Sequence, residues 1–392
     1  MLFLNRICDY LYIKREQNMS IVITGTGIYT PPHTVTNQQL VTVFNEYVES
    51  YNYAHRQEIF ASEMERLEYS DADFIQKASG IKKRHFIDKS GILEPTIMCP
   101  RIPERADGVL SLQAEISVEA ANQALRQANK SASEIDVVIA ACSNFQRPYP
   151  AIAVEVQQYL GVKGFAFDLN VACSSATFAI QVAHDLIKSG SARSVLIVNP
   201  EICSGHLNFR DRDSHFIFGD ACAATIVEDK QYAKTSSVFE IMGIRLLTEF
   251  SNNVRNNGGF LNRTWPQARD RHDKLFTQQG RKVFKEIPSI VCDLIYQTLK
   301  EKKLEPEGVR RFWLHQANLN MNQLIIKKLL GTDVEKDRAP IILDEYGNTS
   351  SAGVIIAFHF HSADLKPGDL GVLSSFGAGY SAGCVLLRKQ KL

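Results

Sequence analysis

A cysteine at the start of a predicted helix is the residue of this sequence best suited to covalent chemistry. Cys173 follows a predicted strand, Gly164 to Leu169, and precedes a helical pattern that Gly190 ends. Small residues around the cysteine allow a tight turn and leave space for a second molecule beside the sulfur. The positive end of the helix dipole and unpaired N–H groups would favour a thiolate nucleophile there. The alternative is an inert cysteine buried in the core.

Two polar residues in the second half of the chain occupy positions that resemble that of Cys173. His315 and Asn348 each follow a predicted strand end and precede a helical pattern. Because sites assemble at the carboxyl ends of strands in α/β sheets, we expect all three residues to meet in space. Backbone N–H groups of Cys173 and of Ala378, in the closing segment, could form an oxyanion hole. Taken singly, His315 could be a structural histidine, Asn348 a helix cap and the glycines beside Ala378 a hairpin turn.

Composition narrows the possible classes of protein. The 392 residues carry a formal net charge of +1, which does not suggest binding to nucleic acid or to an anionic membrane. No apolar run reaches the roughly 18 residues that a transmembrane helix needs. The eight cysteines are scattered without a C-x-x-C pair, which argues against disulfides and a zinc site. We therefore expect a cytoplasmic protein without a metal centre.

Strand and helix patterns alternate along the chain and predict an α/β fold whose strands are buried on both faces. The alternation restarts after Asp229, so we predict two halves of similar pattern, residues 19–229 and 230–392. Residues 1–18 precede the first strand and are interpreted as an N-terminal extension. Gly25 and Gly27 lack the remaining features of a dinucleotide fingerprint and are interpreted as a turn.

Four segments in this order resemble the β-ketoacyl-acyl-carrier-protein synthase III family of the thiolase fold. They are Asp168–Cys173, His315–Asn318, Gly347–Ser350 and Phe376–Gly379. The resemblance extends from about Ser20 to Arg388. It implies a five-layered αβαβα fold made of two similar halves. It also implies that the protein works as a homodimer.

The resemblance also implies a reaction and the residues that perform it. Cys173 would take an acyl group from acyl-CoA as a thioester, and malonyl-acyl-carrier protein would lose CO₂ to give the attacking carbanion. His315 and Asn348 would hold the negative charge that develops on the malonyl thioester oxygen. The product would be a 3-oxoacyl-acyl-carrier protein, and no cofactor is implied beyond the CoA thioester that serves as substrate.

Residues for substrate and partner contact follow from the same resemblance. They are Phe74 for stacking on the CoA adenine, Asn318 for substrate binding, Phe376 for the acyl pocket, Tyr149 for reaching the acyl pocket of the dimer partner, and Lys327 and Lys328 for docking the acidic carrier protein. Ala78 and Asn320 stand where the bacterial housekeeping enzymes have arginines. Two familiar cationic contacts are therefore missing.

Compared with compact members of the family, this chain has extra residues in segments 41–65 and 88–105. Both segments are expected near the tunnel mouth, which favours a medium-chain primer over acetyl-CoA. The alternative is that these two segments change only the surface of the protein.

Three other interpretations remain open at this point. A cysteine hydrolase would use the same Cys-His-Asn set, with the histidine deprotonating the thiol. A relative of the same fold could transfer the acyl group to oxygen or nitrogen, or build a cyclic dione. A partner subunit without activity is disfavoured, because nothing structural requires Cys173, His315 and Asn348 together.

Overall fold

A computed structural model describes residues 19–269, 271–331 and 337–392 of the chain. The predicted extension at residues 1–18 lies outside the described residues. The strands are β1 (Ile21–Tyr29), β2 (His33–Thr36), β3 (Lys83–Phe86), β4 (Val137–Ala141), β5 (Phe165–Leu169), β6 (Ser194–Glu201), β7 (Ala221–Asp229), β8 (Ser237–Ser251), β9 (Val254–Asn256), β10 (Phe276–Gln278), β11 (Val309–Leu314), β12 (Leu370–Gly377) and β13 (Gly379–Lys391).

The α-helices lie between these strands and carry apolar residues at helical spacing on their buried faces. They are α1 (Asn37–Ala54), α2 (Arg56–Phe60), α3 (Ala72–Ser79), α4 (Leu112–Ala128), α5 (Ile152–Leu160), α6 (Ser175–Lys188), α7 (Gly280–Glu301), α8 (Leu319–Leu330), α9 (Leu343–Tyr346) and α10 (Ala352–Phe360). None of the helices that the structure describes combines the length and the apolar character needed to cross a bilayer.

The main sheet has nine strands in the order β11-β12-β13-β8-β1-β7-β6-β4-β5. Strands β1 and β8 pair over only two residues, Val22 with Glu240 and Ile23 with Phe239, so the sheet divides there. On one side of this division, β4 pairs parallel with β6, and the pairs β6–β7 and β7–β1 are antiparallel. The other side repeats this pattern: β11 pairs parallel with β12, and the pairs β12–β13 and β13–β8 are antiparallel. The two similar halves are thus visible in the pairing, whereas the boundary at residues 229 and 230 stays a prediction.

Three apolar clusters separate five layers. One lies between α4 and α5 and the outer face of the first half-sheet, and another between α7 and α8 and the outer face of the second. The central cluster joins α6 and α10 to the inner faces of both half-sheets. This is the predicted αβαβα fold, in which the central helices have apolar neighbours on two sides.

Gly25 and Gly27 are not in a turn, as the sequence suggested, but inside strand β1. A methyl group on either glycine would collide with a carbonyl oxygen of helix α4, that of Ala124 or of Ala120. The glycines therefore allow the alanine-rich helix to pack against the sheet at unusually short distance.

The two extra segments pack on each other through a fourth apolar cluster. Helix α1 contributes Val43, Phe44 and Val48, and the irregular segment after β3 contributes Ile92 and Met98. These residues also contact the segment that connects β6 to β7. Helix α1 is therefore anchored along one face.

Candidate active site

Cys173 occupies a tight turn between the end of β5 and the start of α6. Asn170 Oδ1 accepts a hydrogen bond from the N–H of Ala172 at 2.9 Å, and Ala172 has a positive φ of 46°. Ser175 Oγ accepts a hydrogen bond from the Val171 N–H at 2.9 Å. The polar residues beside the cysteine therefore stabilise the backbone of the turn.

The hairpin formed by β12 and β13 holds this turn from the other half of the molecule. Ser174 Oγ donates to the carbonyl oxygen of Ser381 at 3.1 Å, and Ser381 Oγ donates to that of Val171 at 3.3 Å. A Cβ atom on Gly377 would lie 2.8 Å from Cys173 Cβ, so only glycine fits there. Ala378, whose backbone N–H is a predicted oxyanion-hole donor, directly follows Gly377 in the chain.

The Cys173 sulfur accepts a hydrogen bond from Ser350 Oγ at 3.3 Å. Burial raises the pKa of the Cys173 thiol to about 12, the Ser350 hydroxyl lowers it, and the Glu201 carboxylate raises it further. The expectation of a thiolate stabilised by the helix N-terminus is therefore wrong. Desolvation of the charged sulfur is the larger effect, and the resting nucleophile is a neutral thiol.

His315 follows directly after β11 and is 2% exposed. The backbone N–H of His315 donates to the Ser374 carbonyl at 2.8 Å. The ring of Phe376 packs perpendicular to the imidazole, with the two ring centroids 4.8 Å apart. Nδ1 is buried without a hydrogen-bond partner among the described residues. Burial lowers the pKa of His315 to about 3, so the imidazole is neutral.

The residues that follow His315 position it. Gln316 Oε1 accepts from the Ile342 N–H at 2.8 Å, and its Nε2 donates to the Leu314 carbonyl at 2.7 Å. Asn318 Oδ1 caps helix α8, and its Nδ2 donates to the Ala78 carbonyl at 2.9 Å. Both amide side chains are engaged within the protein.

Asn348 is not at a strand end, as the sequence suggested; it follows the short helix α9. Gly347, with φ of 65°, turns the chain, and Asn348 pairs with Phe218 in an isolated bridge. The Asn348 Oδ1 accepts the Ser350 N–H at 2.9 Å, which leaves the side-chain NH₂ group as the available donor.

Short contacts connect the three predicted catalytic residues. Ser350 bonds both Asn348 Oδ1 and the Cys173 sulfur, while Phe376 contacts His315 and is followed by Gly377, which lies against Cys173. The structure therefore brings Cys173, His315 and Asn348 together, although they are far apart in sequence.

The residues predicted for substrate and partner contact lie around this group or on the surface. Phe74 on α3 is 57% exposed and Tyr149 is 82% exposed. Asn320 donates to the Ala78 carbonyl at 3.0 Å, so together with Asn318 it ties α8 to the helix that carries Phe74. Lys327 and Lys328 are exposed in the last turn of α8.

No role follows from the sequence for two residues that affect the pKa of the Cys173 thiol. Ser350 belongs to a segment that carried the family resemblance, and its neighbour Asn348 could have drawn attention to it. Glu201 ends strand β6 and is 1% exposed. An acidic residue after an apolar strand was the available signal, but its partners are distant in sequence.

Comparison with known proteins identifies the family. The model for 3-oxoacyl-(acyl-carrier-protein) synthase III matches residues 167–243, and the model for the C-terminal part of the same enzyme matches residues 299–389. A β-ketodecanoyl-(acyl-carrier-protein) synthase of Pseudomonas aeruginosa is 57% identical over 347 residues, 88% of this chain and 99% of that protein. The chain belongs to the 3-oxoacyl-(acyl-carrier-protein) synthase III family. It is a condensing acyltransferase of this type, and the predicted family and enzyme class are confirmed.

Solved structures agree with the fold. The synthase III of Aquifex aeolicus superposes with a TM-score of 0.72 at 26% identity, covering 94% of this chain and 99% of that one. The synthase III of Pseudomonas aeruginosa PAO1 superposes with a TM-score of 0.73 at 21% identity, covering 95% and 99%. The second similarity concerns the fold alone.

Proposed function

We propose that Cys173 takes an acyl group from acyl-CoA in the first half-reaction. The sulfur attacks the thioester carbonyl, the C–S bond to CoA breaks, and the thiol proton leaves with the CoA sulfur. The backbone N–H groups of Cys173 and Ala378 stabilise the oxyanion. The contact between Gly377 and Cys173 supports this, because it keeps the two backbone segments adjacent.

In the second half-reaction His315 and Asn348 stabilise the carbanion formed when malonyl-acyl-carrier protein loses CO₂. Each supplies one N–H donor to the thioester oxygen: the imidazole through Nε2 and Asn348 through its NH₂ group. The carbanion attacks the acyl-Cys173 carbonyl and the bond to sulfur breaks, which releases a 3-oxoacyl-carrier protein and a Cys173 thiolate that takes up a proton from water. The single observation that carries this proposal is the convergence of Cys173, His315 and Asn348.

A cysteine hydrolase fits the site less well. Such an enzyme activates its nucleophile as a thiolate paired with an imidazolium, which requires the cysteine pKa to lie near or below that of the histidine. Here burial raises the pKa of Cys173 to about 12 and lowers that of His315 to about 3. Two neutral groups suit hydrogen-bond donation during condensation better than hydrolysis.

We propose an acyl-CoA of about eight carbons as the primer. A β-ketodecanoyl product has ten carbons, of which the malonyl unit supplies two, and the relative named for that product is 57% identical to this chain. The extra segments 41–65 and 88–105 form an apolar cluster that includes Phe218, whose backbone pairs with Asn348. They are therefore placed to shape a longer acyl pocket, together with Phe376.

We also propose the contacts to CoA, carrier protein and a second subunit. Exposed Phe74 stacks on the adenine, Asn318 keeps α3 and α8 together at the entrance, and Lys327 and Lys328 attract the acidic carrier protein. Strand β5 is the last strand of the sheet, and Phe165 on it is 45% exposed. Pairing of β5 with that of a second copy would cover this edge and direct Tyr149 into the partner's pocket.

The test is covalent loading by a panel of acyl-CoA thioesters from two to sixteen carbons, measured by intact mass. We expect the mass to rise by one acyl group, fastest near eight carbons, and Cys173→Ala to remain unmodified. Loading of Cys173→Ala at the normal rate would contradict the assignment of the nucleophile. A maximum at two carbons would contradict the proposed primer but not the nucleophile.

A further inference from the structure

The buried carboxylate of Glu201 accepts hydrogen bonds from both halves of the molecule. Ser143 donates its N–H to Oε1 at 3.0 Å and its hydroxyl to Oε2 at 2.6 Å. Ser351 donates its N–H to Oε1 at 3.1 Å, and its hydroxyl also donates to Oε1. No cation forms an ion pair with Glu201 within the described part of the chain. With the Cys203 thiol, which donates to Oε2 at 3.9 Å, five uncharged donors hold this carboxylate.

The first pair of donors leads to the backbone that precedes the nucleophile. The carbonyl oxygen of Ser143 accepts from Asn170 Nδ2 at 2.9 Å, and Asn170 Oδ1 accepts from the N–H of Ala172 at 2.9 Å. Ala172 has a positive φ of 46°, which a non-glycine residue adopts only when its surroundings hold it. Glu201 is thus connected to the strained residue directly before Cys173.

The second pair of donors leads to the sulfur itself. Ser351 follows Ser350, which has a positive φ of 49° and donates its hydroxyl to the Cys173 sulfur at 3.3 Å. The N–H of Ser350 is bonded to Asn348 Oδ1, and the N–H of the next residue to Glu201. Hydrogen bonds on both sides therefore fix the conformation that points this hydroxyl at the thiol.

We propose that Glu201 is a positioning residue that sets the place and direction of the Cys173 thiol through these two connections. Its role is to hold the nucleophile at the junction of the two halves, without touching the substrate. Glutamine has nearly the same shape but only one acceptor atom, and its NH₂ group would face donors. With its oxygen at the Oε1 position, glutamine would still accept from the N–H groups of Ser143 and Ser351, but its NH₂ group would face the Ser143 hydroxyl in place of Oε2. The first connection would then lose one of its two bonds, and a buried N–H would be left unpaired.

The test rests on the proposed function, because the measured reaction is acyl loading of Cys173. We would compare Glu201→Gln with the wild-type protein in single-turnover loading with octanoyl-CoA. We expect the loading rate constant to fall about 10- to 100-fold, the effect of a misplacement of up to 1 Å, with half-saturation within twofold. The matched control is Glu228→Gln, a buried glutamate at the far end of β7 paired with Lys130, which should load within twofold of the wild type.

A second measurement separates positioning from general loosening of the fold. Because the Glu201 carboxylate raises the pKa of Cys173, Glu201→Gln should be alkylated faster by iodoacetamide at Cys173 even as acyl loading slows. A loosened fold would instead expose the buried Cys292 and Cys384, whose pKa values are set by other groups than Glu201, to alkylation as well. Peptide mass spectrometry reports each cysteine separately, and it needs no substrate.

Several outcomes would overturn the proposal. Loading of Glu201→Gln within threefold of the wild type would do so, as would parallel alkylation of Cys292 and Cys384. If Glu201→Gln does not fold, Ser143→Ala and Ser351→Ala each remove one hydroxyl while keeping the carboxylate. Each should then slow loading about threefold to tenfold, and unchanged loading in both would refute the role of Glu201. If the wild type itself takes no acyl group, the proposed function is wrong. The alkylation measurement then still tests the positioning role of Glu201.

Discussion

Replacing Gly377 with alanine tests how closely the two halves must meet at the nucleophile. The new methyl carbon would lie 2.8 Å from Cys173 Cβ, 2.9 Å from its nitrogen and 3.2 Å from its Cα. Carbon atoms pack best at about 3.5–4.0 Å, so Cys173 or the β12–β13 hairpin must retreat by about 0.7–1.2 Å. A displacement of that size can slow an enzymatic step by about 100-fold, and overpacking costs about 1–3 kcal/mol of stability.

The assay for Gly377→Ala is single-turnover loading with octanoyl-CoA, followed by intact mass, together with urea unfolding. We expect loading to slow by about 100-fold while at most about 3 kcal/mol of stability is lost, so that the protein remains folded. Gly308→Ala is the control, because a methyl group there meets no atom within 4 Å. Loading of Gly377→Ala at the wild-type rate would refute the inferred contact between hairpin and nucleophile.

Three further predictions concern the charge state of the site and of the core. Ser350→Ala removes the hydroxyl that lowers the pKa of Cys173, so acyl loading should slow about threefold to tenfold; unchanged loading would contradict this. Because the pKa of Cys173 is about 12, its alkylation by iodoacetamide should rise about tenfold per pH unit from pH 7 to 10, whereas a plateau near pH 8 would indicate a thiolate. Burial lowers the pKa of His206 to about 4, below the ordinary 6.5. As the pH falls, His206 is therefore protonated in the unfolded chain at a higher pH than in the folded protein. The free energy of unfolding should therefore decrease from pH 7.5 to 5.0, and His206→Leu should reduce that decrease by about 2 kcal/mol in urea unfolding; an equal decrease in both proteins would contradict this.

The order of elements around the nucleophile could be predicted from the sequence. The strand before Cys173 and the helix after it are marked by apolar spacing and by the glycine that follows, signals that depend on neighbouring residues only. The close contact of Gly377 with Cys173 could not be predicted, because it joins a strand of one half to a turn of the other. The same holds for Glu201, whose serine partners are 58 and 150 residues away in the chain.

Two expectations about the site were wrong for physical reasons. The helix N-terminus suggested a thiolate at Cys173, but burial of the sulfur, which the sequence does not reveal, has the larger effect on its pKa. The helical pattern after Asn348 suggested a preceding strand. In the structure, the short helix α9 and the positive φ of Gly347 place the Asn348 side chain in the site. Local patterns identified which residues matter, and tertiary contacts determined their charge and direction.

The most direct measurement is decarboxylation by enzyme that has already been acylated. The protein is loaded with octanoyl-CoA, freed of CoA and mixed with malonyl-acyl-carrier protein, and CO₂ and 3-oxodecanoyl-carrier protein are quantified together. We predict one product for each CO₂ in the wild type, and an acyl-enzyme that persists without CO₂ release in His315→Ala and Asn348→Ala. Release of CO₂ at the wild-type rate by both variants, or release of free octanoate in place of product, would contradict the proposed condensation.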